Sequence, residues 1–183
     1  MNKLIAIVGM CGSGKSVACE KLVSMGYNKI YFGGVTMDCL KEKGLEINPE
    51  NEKMMREKLR EDLGMGAFAI ILLPKIEEAV KKGDTVLDGV YSYDEVKILK
   101  DKFANLKIVA VVCDKKTRYE RLKTRSVRPL TPEEAEKRDI SEVENIKKAP
   151  PIALADYYID NNGTVEEYNK RILDILNDIG SDK

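Results

Sequence analysis

The sequence contains no histidine, and none of its 4 cysteines is spaced as a Cys-x-x-Cys pair. A zinc site with cysteine and histidine ligands is therefore excluded. The apolar run that ends at Val8 is too short for a signal peptide or a membrane-spanning helix. Cysteines that are spread along a chain without a targeting segment indicate reduced thiols, so we expect a cytoplasmic protein.

An excess of either charge is also absent, because 31 basic residues balance 31 acidic ones. Proteins that bind nucleic acid or a membrane surface usually present a broad positive field. We therefore expect no nucleic-acid partner and no membrane partner, and any anionic partner should be a small molecule. The sequence leaves the oligomeric state open.

No internal repeat, low-complexity tract or flexible linker divides the chain, which predicts one domain over residues 1–183. Short apolar runs alternate with longer helical patterns, as in an α/β fold whose parallel sheet is covered by helices on both faces. The five predicted strands are 4–8, 29–32, 85–87, 107–112 and 157–159. The eight predicted helices are 15–25, 35–43, 50–63, 65–82, 93–103, 115–125, 131–146 and 164–179.

Two segments depart from this alternation. Segment 34–73 is a run of helices between the second and third strands, and segment 126–151 is dense in charge and interrupted by prolines. Thr131 and Thr164 are each followed three residues later by a glutamate, which is the capping-box pattern of a helix start. We expect both segments to be mobile excursions over a rigid sheet.

Residues 9–16, GMCGSGKS, match the pattern GxxxxGK[ST] between a predicted strand and a predicted helix. Glycines in such a loop let backbone amides surround phosphate groups, and the helix N-terminus adds a positive dipole end. Lys15 is then the charge for the β- and γ-phosphates, and Ser16 a hydroxyl ligand for Mg²⁺. The alternative is a glycine-rich turn that binds nothing. The predicted nucleotide-binding residues are Gly9, Met10, Cys11, Gly12, Ser13, Gly14, Lys15, Ser16 and Val17.

Asp88 ends the third predicted strand, where a parallel sheet brings it beside the phosphate loop. A carboxylate there can hold the Mg²⁺ shell or orient an acceptor, although many acids after strands only begin a loop.

Arginines form two further candidate groups. Arg118, Arg121 and Arg125 share one helix face, and Arg138 follows in segment 126–151. Guanidinium groups can stabilise the charge of a transferring phosphoryl group, while the alternative is an exposed face paired with glutamates. Arg56 and Arg60 lie one turn apart in segment 34–73, where an acceptor would bind. Mixed charges around them also fit a plain exposed helix.

These residues resemble P-loop nucleoside-phosphate kinases and dephospho-coenzyme A kinases over nearly the whole chain. GMCGSGKS, segments 61–67 and 73–78 and Asp88-Gly89-Val90 resemble an adenylate-kinase-related family of nucleotide kinases. Arg121, Arg125, Glu133-Glu134-Ala135, Arg138 and segment 155–164 resemble dephospho-coenzyme A kinase. The resemblance implies a three-layer P-loop NTPase fold in which segment 34–73 binds the acceptor and segment 126–151 is a lid.

By the same resemblance, Arg121, Arg125 and Arg138 lie on the lid side, and Asn161 and Gly163 lie near the adenine of ATP. A plain Asn-Gly turn is the alternative for that pair. One feature of dephospho-coenzyme A kinase is missing: its acidic pair after the second strand is replaced by Ile30-Tyr31-Phe32-Gly33-Gly34. A hydroxyl acceptor benefits from such a base and a phosphate acceptor does not, although Asp38 or Asp88 could serve instead.

We therefore expect an ATP-dependent kinase that transfers the γ-phosphoryl group of MgATP to a small nucleotide-like acceptor. Dephospho-coenzyme A and a nucleoside or deoxynucleoside monophosphate remain alternative acceptors. Catalysis would rest on Lys15, Asp88, Arg121, Arg125 and Arg138, with Ser16 and Asp88 at the metal and Asp38, Arg56 and Arg60 at the acceptor. The alternative function is an ATP-binding regulator or sensor that transfers no phosphoryl group.

Overall fold

A computed structural model describes residues 2–181 and contains a five-stranded sheet in which every paired strand is parallel. The strand order is β2-β3-β1-β4-β5. This arrangement confirms the predicted α/β fold with a five-stranded parallel sheet. The strands are β1 Leu4–Val8, β2 Asn28–Tyr31, β3 Thr85–Asp88, β4 Leu106–Val112 and β5 Tyr157–Asp160.

Helices cover both faces of the sheet, as the continuous apolar strands predict. One apolar core packs the sheet against α2, α4 and α5, and the other packs it against α1 and α9. The helices are α1 Lys15–Ser24, α2 Gly34–Glu42, α3 Pro49–Leu63, α4 Ala67–Lys82, α5 Tyr93–Lys102, α6 Lys115–Thr124, α7 Pro132–Glu144, α8 Ala149–Ala153 and α9 Val165–Ser181.

Local hydrogen bonds explain the helix starts in the second half of the chain. The Thr131 hydroxyl accepts from the Glu134 amide while the Glu134 carboxylate accepts from the Thr131 amide, and Thr164 and Glu167 make the same reciprocal pair. Both capping boxes agree with the sequence prediction. The short helix α8 was not predicted, because its two prolines read as a break in a helical pattern.

The described helices include none that is long and apolar enough to cross a membrane.

The central strand β1 is buried at all five positions. Its residue Ile7 is in register with Asp88 of β3 on one side and with Val109 of β4 on the other. The carboxyl end of β1 therefore places the phosphate loop in the middle of the sheet edge, where ligands bind in folds of this kind.

Candidate active site

The phosphate loop turns tightly between β1 and α1. Gly12 and Gly14 have φ values of 80° and 101°, a left-handed conformation that favours glycine. A Cβ at Gly12 would lie 2.8 Å from the Arg118 carbonyl oxygen, and one at Gly14 would overlap the Asn161 amide. The two glycines are required both by the backbone conformation and by the residues packed behind the loop.

Two residues from the end of the chain support this loop. The Asn161 side-chain amide donates to the Ser13 carbonyl at 2.8 Å, and the Tyr168 hydroxyl donates to the Gly14 carbonyl at 3.0 Å. Asn161 is buried, so the structure places it behind the loop, whereas Gly163 is exposed. Tyr168 was not predicted as a site residue, because a tyrosine on an amphipathic helix has the same sequence pattern as a core residue.

Lys15 lies at the start of α1, and its ammonium donates to the Met10 carbonyl at 2.9 Å. Burial, and next the positive charge of Lys148, lower the pKa of Lys15 to about 8. A half-buried cation with one neutral partner is suited to an anionic ligand. The assignment of Lys15 to the β- and γ-phosphates stays a prediction.

The predicted metal ligands lie on neighbouring elements. Ser16 is exposed in the first turn of α1, and Asp88 is buried at the end of β3, opposite Ile7 of β1. Lys29 holds the Asp88 carboxylate at 2.9 Å. One hydroxyl and one carboxylate suit Mg²⁺, which usually takes its other ligands from phosphate and water. Among residues 2–181 no group of three or more acidic, cysteine or histidine side chains forms a metal site by itself.

A cavity of about 420 Å³ opens at the carboxyl ends of β2 and β3, the same edge of the parallel sheet as the phosphate loop, between the helical segment 34–73 and α7. Its wall combines arginines, tyrosines and a few apolar side chains. The lining residues are Tyr31, Phe32, Gly33, Thr36, Met37, Glu52, Arg56, Arg60, Phe68, Gly89, Tyr91, Arg128, Arg138, Ser141, Glu142 and Ile146. The sequence-predicted Arg56, Arg60 and Arg138 are thus brought to one space. Asp38 is exposed on α2 and is not part of this lining.

Two of the arginines in this cavity share one counter-ion. Glu52 accepts from Arg56 at 3.4 Å and from Arg128 at 3.1 Å. Hydrogen bonds from Arg128, which outweigh burial, hold the pKa of the Glu52 carboxyl below its usual range. Their positive charge is therefore partly neutralised within the protein.

Arg60 differs from its neighbours because its Nε atom is buried without a hydrogen-bond partner. Its guanidinium lies 5.3 Å from the centre of the Phe68 ring. Burial lowers the pKa of Arg60. A buried cationic donor without a partner is costly, and an anion in the cavity would satisfy it.

The three arginines in and just after α6 have different hydrogen-bond partners. Arg118 is buried, donates to the Cys11 carbonyl of the phosphate loop at 2.9 Å and makes a two-point contact with Asp139 of α7. Arg121 donates to the Asn161 carbonyl at 3.0 Å, and the Nε of Arg125 donates to a carbonyl in the following turn at 2.7 Å. Arg121 and Arg125 therefore hold backbone segments near the loop, whereas Arg118 touches the loop itself.

Glu142 and Lys148 form a buried pair that the sequence analysis missed. The Lys148 ammonium lies 2.6 Å from Glu142 Oε2, while Arg138 donates to Oε1 at 3.1 Å. Although burial disfavours its charge, Lys148 and Arg138 hold the pKa of Glu142 below its usual value. No local signal separates these residues from the many exposed charges of segment 126–151.

The fold, the phosphate loop and the adjoining cavity define a P-loop kinase-like domain, and residues 5–144 match the family described as AAA domain. The chain belongs to this family and to the UPF0200 proteins. It is 34% identical over 181 residues to the UPF0200 protein of Thermococcus kodakarensis, covering 96% of this chain and 97% of that one. It is 36% identical over 178 residues to that of Sulfurisphaera tokodaii, covering 95% and 96%.

Solved structures share the fold at low sequence identity. A protein from Thermus thermophilus, TT1252, has a TM-score of 0.68 at 18% identity and covers 97% of both chains. Shikimate kinase from Bacteroides thetaiotaomicron has a TM-score of 0.62 at 14% identity, covering 98% of this chain and 99% of that chain. Dephospho-CoA kinase from Campylobacter jejuni has a TM-score of 0.55 at 15% identity, covering 97% of both. The shared architecture is that of small-molecule kinases.

Proposed function

We propose that this protein is an ATP-dependent kinase that transfers the γ-phosphoryl group of MgATP to a small, phosphate-bearing, nucleotide-like acceptor. The observation that carries the proposal is the position of Arg60, a half-buried arginine whose buried Nε has no partner, in the wall of a cavity at the same sheet edge as the phosphate loop. The loop binds ATP with Lys15 at its β- and γ-phosphates, and the cavity holds the acceptor phosphate against Arg60.

The carboxylates of the site favour a nucleoside or deoxynucleoside monophosphate over dephospho-coenzyme A. Asp88 is paired with Lys29, Glu52 with Arg56 and Arg128, and Glu142 with Arg138 and Lys148. A hydroxyl acceptor benefits from a carboxylate free to take its proton. A phosphate oxygen is already an anion, so positive charge and alignment are sufficient.

In the proposed reaction, Ser16 and Asp88 would hold Mg²⁺, which would supply positive charge beside the phosphates of ATP. Arg118 fixes the loop from behind through Cys11, and Arg138 reaches the cavity from α7. An acceptor phosphate oxygen supplies the electron pair for the new P–O bond, and ADP leaves with the electron pair of the broken one.

The test is a coupled assay of ADP release from MgATP with each ribo- and deoxyribonucleoside monophosphate and with dephospho-coenzyme A. We expect acceptor-dependent ADP release with a monophosphate and none with Lys15→Ala. Selective turnover of dephospho-coenzyme A would overturn the choice of acceptor. Tight MgATP binding without any acceptor-dependent release would favour an ATP-binding sensor instead.

A further inference from the structure

Lys148 lies where no motif would place a functional lysine. It follows α7 and is 2% exposed, and its ammonium contacts two residues of the cavity wall: Glu142 at 2.6 Å and the Tyr91 ring at 4.5 Å from its centre. In addition, its positive charge contributes to the lowered pKa of Lys15. Lys148 therefore lies directly behind the cavity wall formed by Glu142 and Tyr91, within electrostatic reach of the phosphate loop.

The backbone at this position is strained. Lys147 has a φ of 54°, a left-handed conformation that lysine rarely adopts, and the Lys148 amide donates to the Glu142 carbonyl at 3.2 Å. Such strain persists only where the surrounding structure enforces it, and it is concentrated at functional sites. Here the turn inserts the following lysine into the protein interior.

Stability alone is a weak reason for this arrangement. A buried ion pair often contributes little net stability, because desolvation of both charges offsets their attraction. The Lys148–Glu142 pair also places two ammonium groups, those of Lys15 and Lys148, in one electrostatic environment. A highly charged anion bound near both ammonium groups would relieve their mutual repulsion.

We propose that Lys148 is a catalytic residue whose ammonium contacts the phosphoryl group as it passes from ATP to the acceptor. This assignment rests on the proposed kinase function. The γ-phosphorus loses its bond to the β-bridging oxygen, which leaves on ADP with the electron pair, and gains a bond to the acceptor oxygen. The Lys148 ammonium places positive charge beside the equatorial oxygens, while Glu142 orients it beforehand.

The test compares wild type with Lys148→Met, Glu142→Gln and the double variant Lys148→Met/Glu142→Gln. The double variant replaces the ion pair by neutral groups of similar size, so it restores folding where the single lysine variant leaves a buried carboxylate unpaired. Lys137→Met is the matched control, because it removes an exposed lysine charge from α7, the helix that contains Glu142. Each protein is measured for Tm, MgATP affinity and kcat.

We expect Lys148→Met and the double variant to lose about 100-fold or more in kcat, the usual effect of removing one group that stabilises a transition state. The double variant should recover most of the lost Tm and bind MgATP within about threefold of wild type. A double variant whose kcat returns to that of Glu142→Gln would show that the lysine has only a structural role.

A second readout needs no acceptor. MgADP with aluminium fluoride mimics the transferring phosphoryl group, and the gain in ADP affinity on adding fluoride measures its stabilisation. We expect fluoride to increase ADP affinity strongly in wild type and in Lys137→Met. The increase should be small in Lys148→Met and in the double variant. An equal gain in all variants overturns the role of Lys148 even if the kinase assay succeeds. If no acceptor is phosphorylated but the gain depends on Lys148, the residue assignment stands and the proposed acceptors are wrong.

Discussion

The proposed binding of MgATP requires the positive charge of Lys15, but burial in the folded protein disfavours that charge while no ligand is bound. Its pKa falls from 10.5 to about 8 in the folded chain, so the unfolded chain holds more protons between those pH values. The stability of wild type should therefore rise from pH 8 to 10.5. We expect Lys15→Met to raise the free energy of unfolding at pH 7 by about 1–3 kcal/mol and to abolish MgATP binding.

Urea unfolding of both proteins from pH 7 to 10.5 measures this difference. The advantage of Lys15→Met should shrink as the pH rises, because the wild-type lysine then loses its buried charge. A difference that stays constant with pH would contradict the assigned cause.

Arg60 is expected to act on the acceptor and hardly on folding. Arg60→Met keeps an unbranched apolar side chain beside Phe68 and removes the guanidinium, whose Nε has no partner. We expect the KM of the acceptor to rise about tenfold or more, since a hydrogen bond to a charged group is worth roughly 1.5–3 kcal/mol. Tm and the affinity for MgATP should be nearly unchanged.

Steady-state kinetics with both substrates varied provide the measurement. Lys58→Met, which removes an exposed charge two residues earlier on α3, serves as its control. A rise in the KM of ATP in place of that of the acceptor would move Arg60 to the nucleotide site.

The roles of single residues could be predicted only where a motif fixes them. Lys15 and Ser16 follow from the spacing GxxxxGK[ST], which defines both the backbone turn and the helix after it. Arg118 and Arg121 are both arginines on one face of α6. Arg118 nevertheless contacts the phosphate loop, whereas Arg121 donates to the Asn161 carbonyl just after β5. Their difference depends on packing between α6 and distant segments, which a helix-face pattern does not contain.

At the level of elements, the start of α5 contains a carboxyl group whose pKa burial raises well above its usual value. Glu95 accepts from the amides of Tyr91 and Ser92, and burial raises its pKa from 4.5 to about 7. Because the folded pKa is the higher one, its contribution to stability is full below pH 4.5 and is lost as pH rises through 7.

We expect Glu95→Gln to flatten this dependence, because the glutamine carbonyl still accepts both amides and carries no charge. The free energy of unfolding of Glu95→Gln, minus that of wild type, should be about 1–3 kcal/mol larger at pH 8 than at pH 5. Urea unfolding of both proteins at both pH values measures this difference. Glu95→Ala, which loses the capping box, should be less stable than wild type at both. A parallel pH dependence of wild type and Glu95→Gln would show that another group titrates.

Elements were easier to predict than residues. All five strands lie within one residue of their predicted bounds. The three central strands, β3, β1 and β4, have the continuous apolar runs of buried parallel strands, whereas the edge strands β2 and β5 are only partly buried. The bounds of the helices followed from caps such as Thr131, whereas α8 was missed at Pro150 and Pro151. Two adjacent prolines are compatible with a first helical turn, but only tertiary contacts decide whether one forms.

For the molecule as a whole, segment 126–151 is tied to two separate regions. Arg118 joins it to the phosphate loop through Asp139, and Arg128 joins it to α3 through Glu52. Arg128 also has a φ of 51°, so its turn is strained. The contact between Arg128 and Glu52 therefore joins segment 126–151 to α3 across the cavity wall, at some cost in backbone energy.

We expect Arg128→Ala to loosen only this side of the cavity. Hydrogen exchange should become faster in segment 126–131 and the N-terminal turn of α7, while β1 and β4 stay protected. The affinity for MgATP should stay within about twofold of wild type, since the Arg118 contact is intact. Val127→Ala, at a neighbouring exposed position, is the control, and faster exchange in the central strands would indicate general destabilisation instead.

The parallel sheet and its covering helices were predicted, but the strand order was not. Order depends on which way each crossover turns, and alternation of apolar runs does not record that choice. The cavity likewise required the structure, because Arg60 and Arg138 are far apart in sequence and meet only when α3 and α7 pack over the same edge.

The support of the phosphate loop by Asn161 and Tyr168 has a consequence for synthesis. The loop occupies residues 9–16, whereas its two supports follow in the chain only at positions 161 and 168. A growing chain therefore exposes the loop without these hydrogen bonds until segment 161–168 has emerged. On the proposed function, we expect ATP to stabilise the fold only after that segment has packed against the loop.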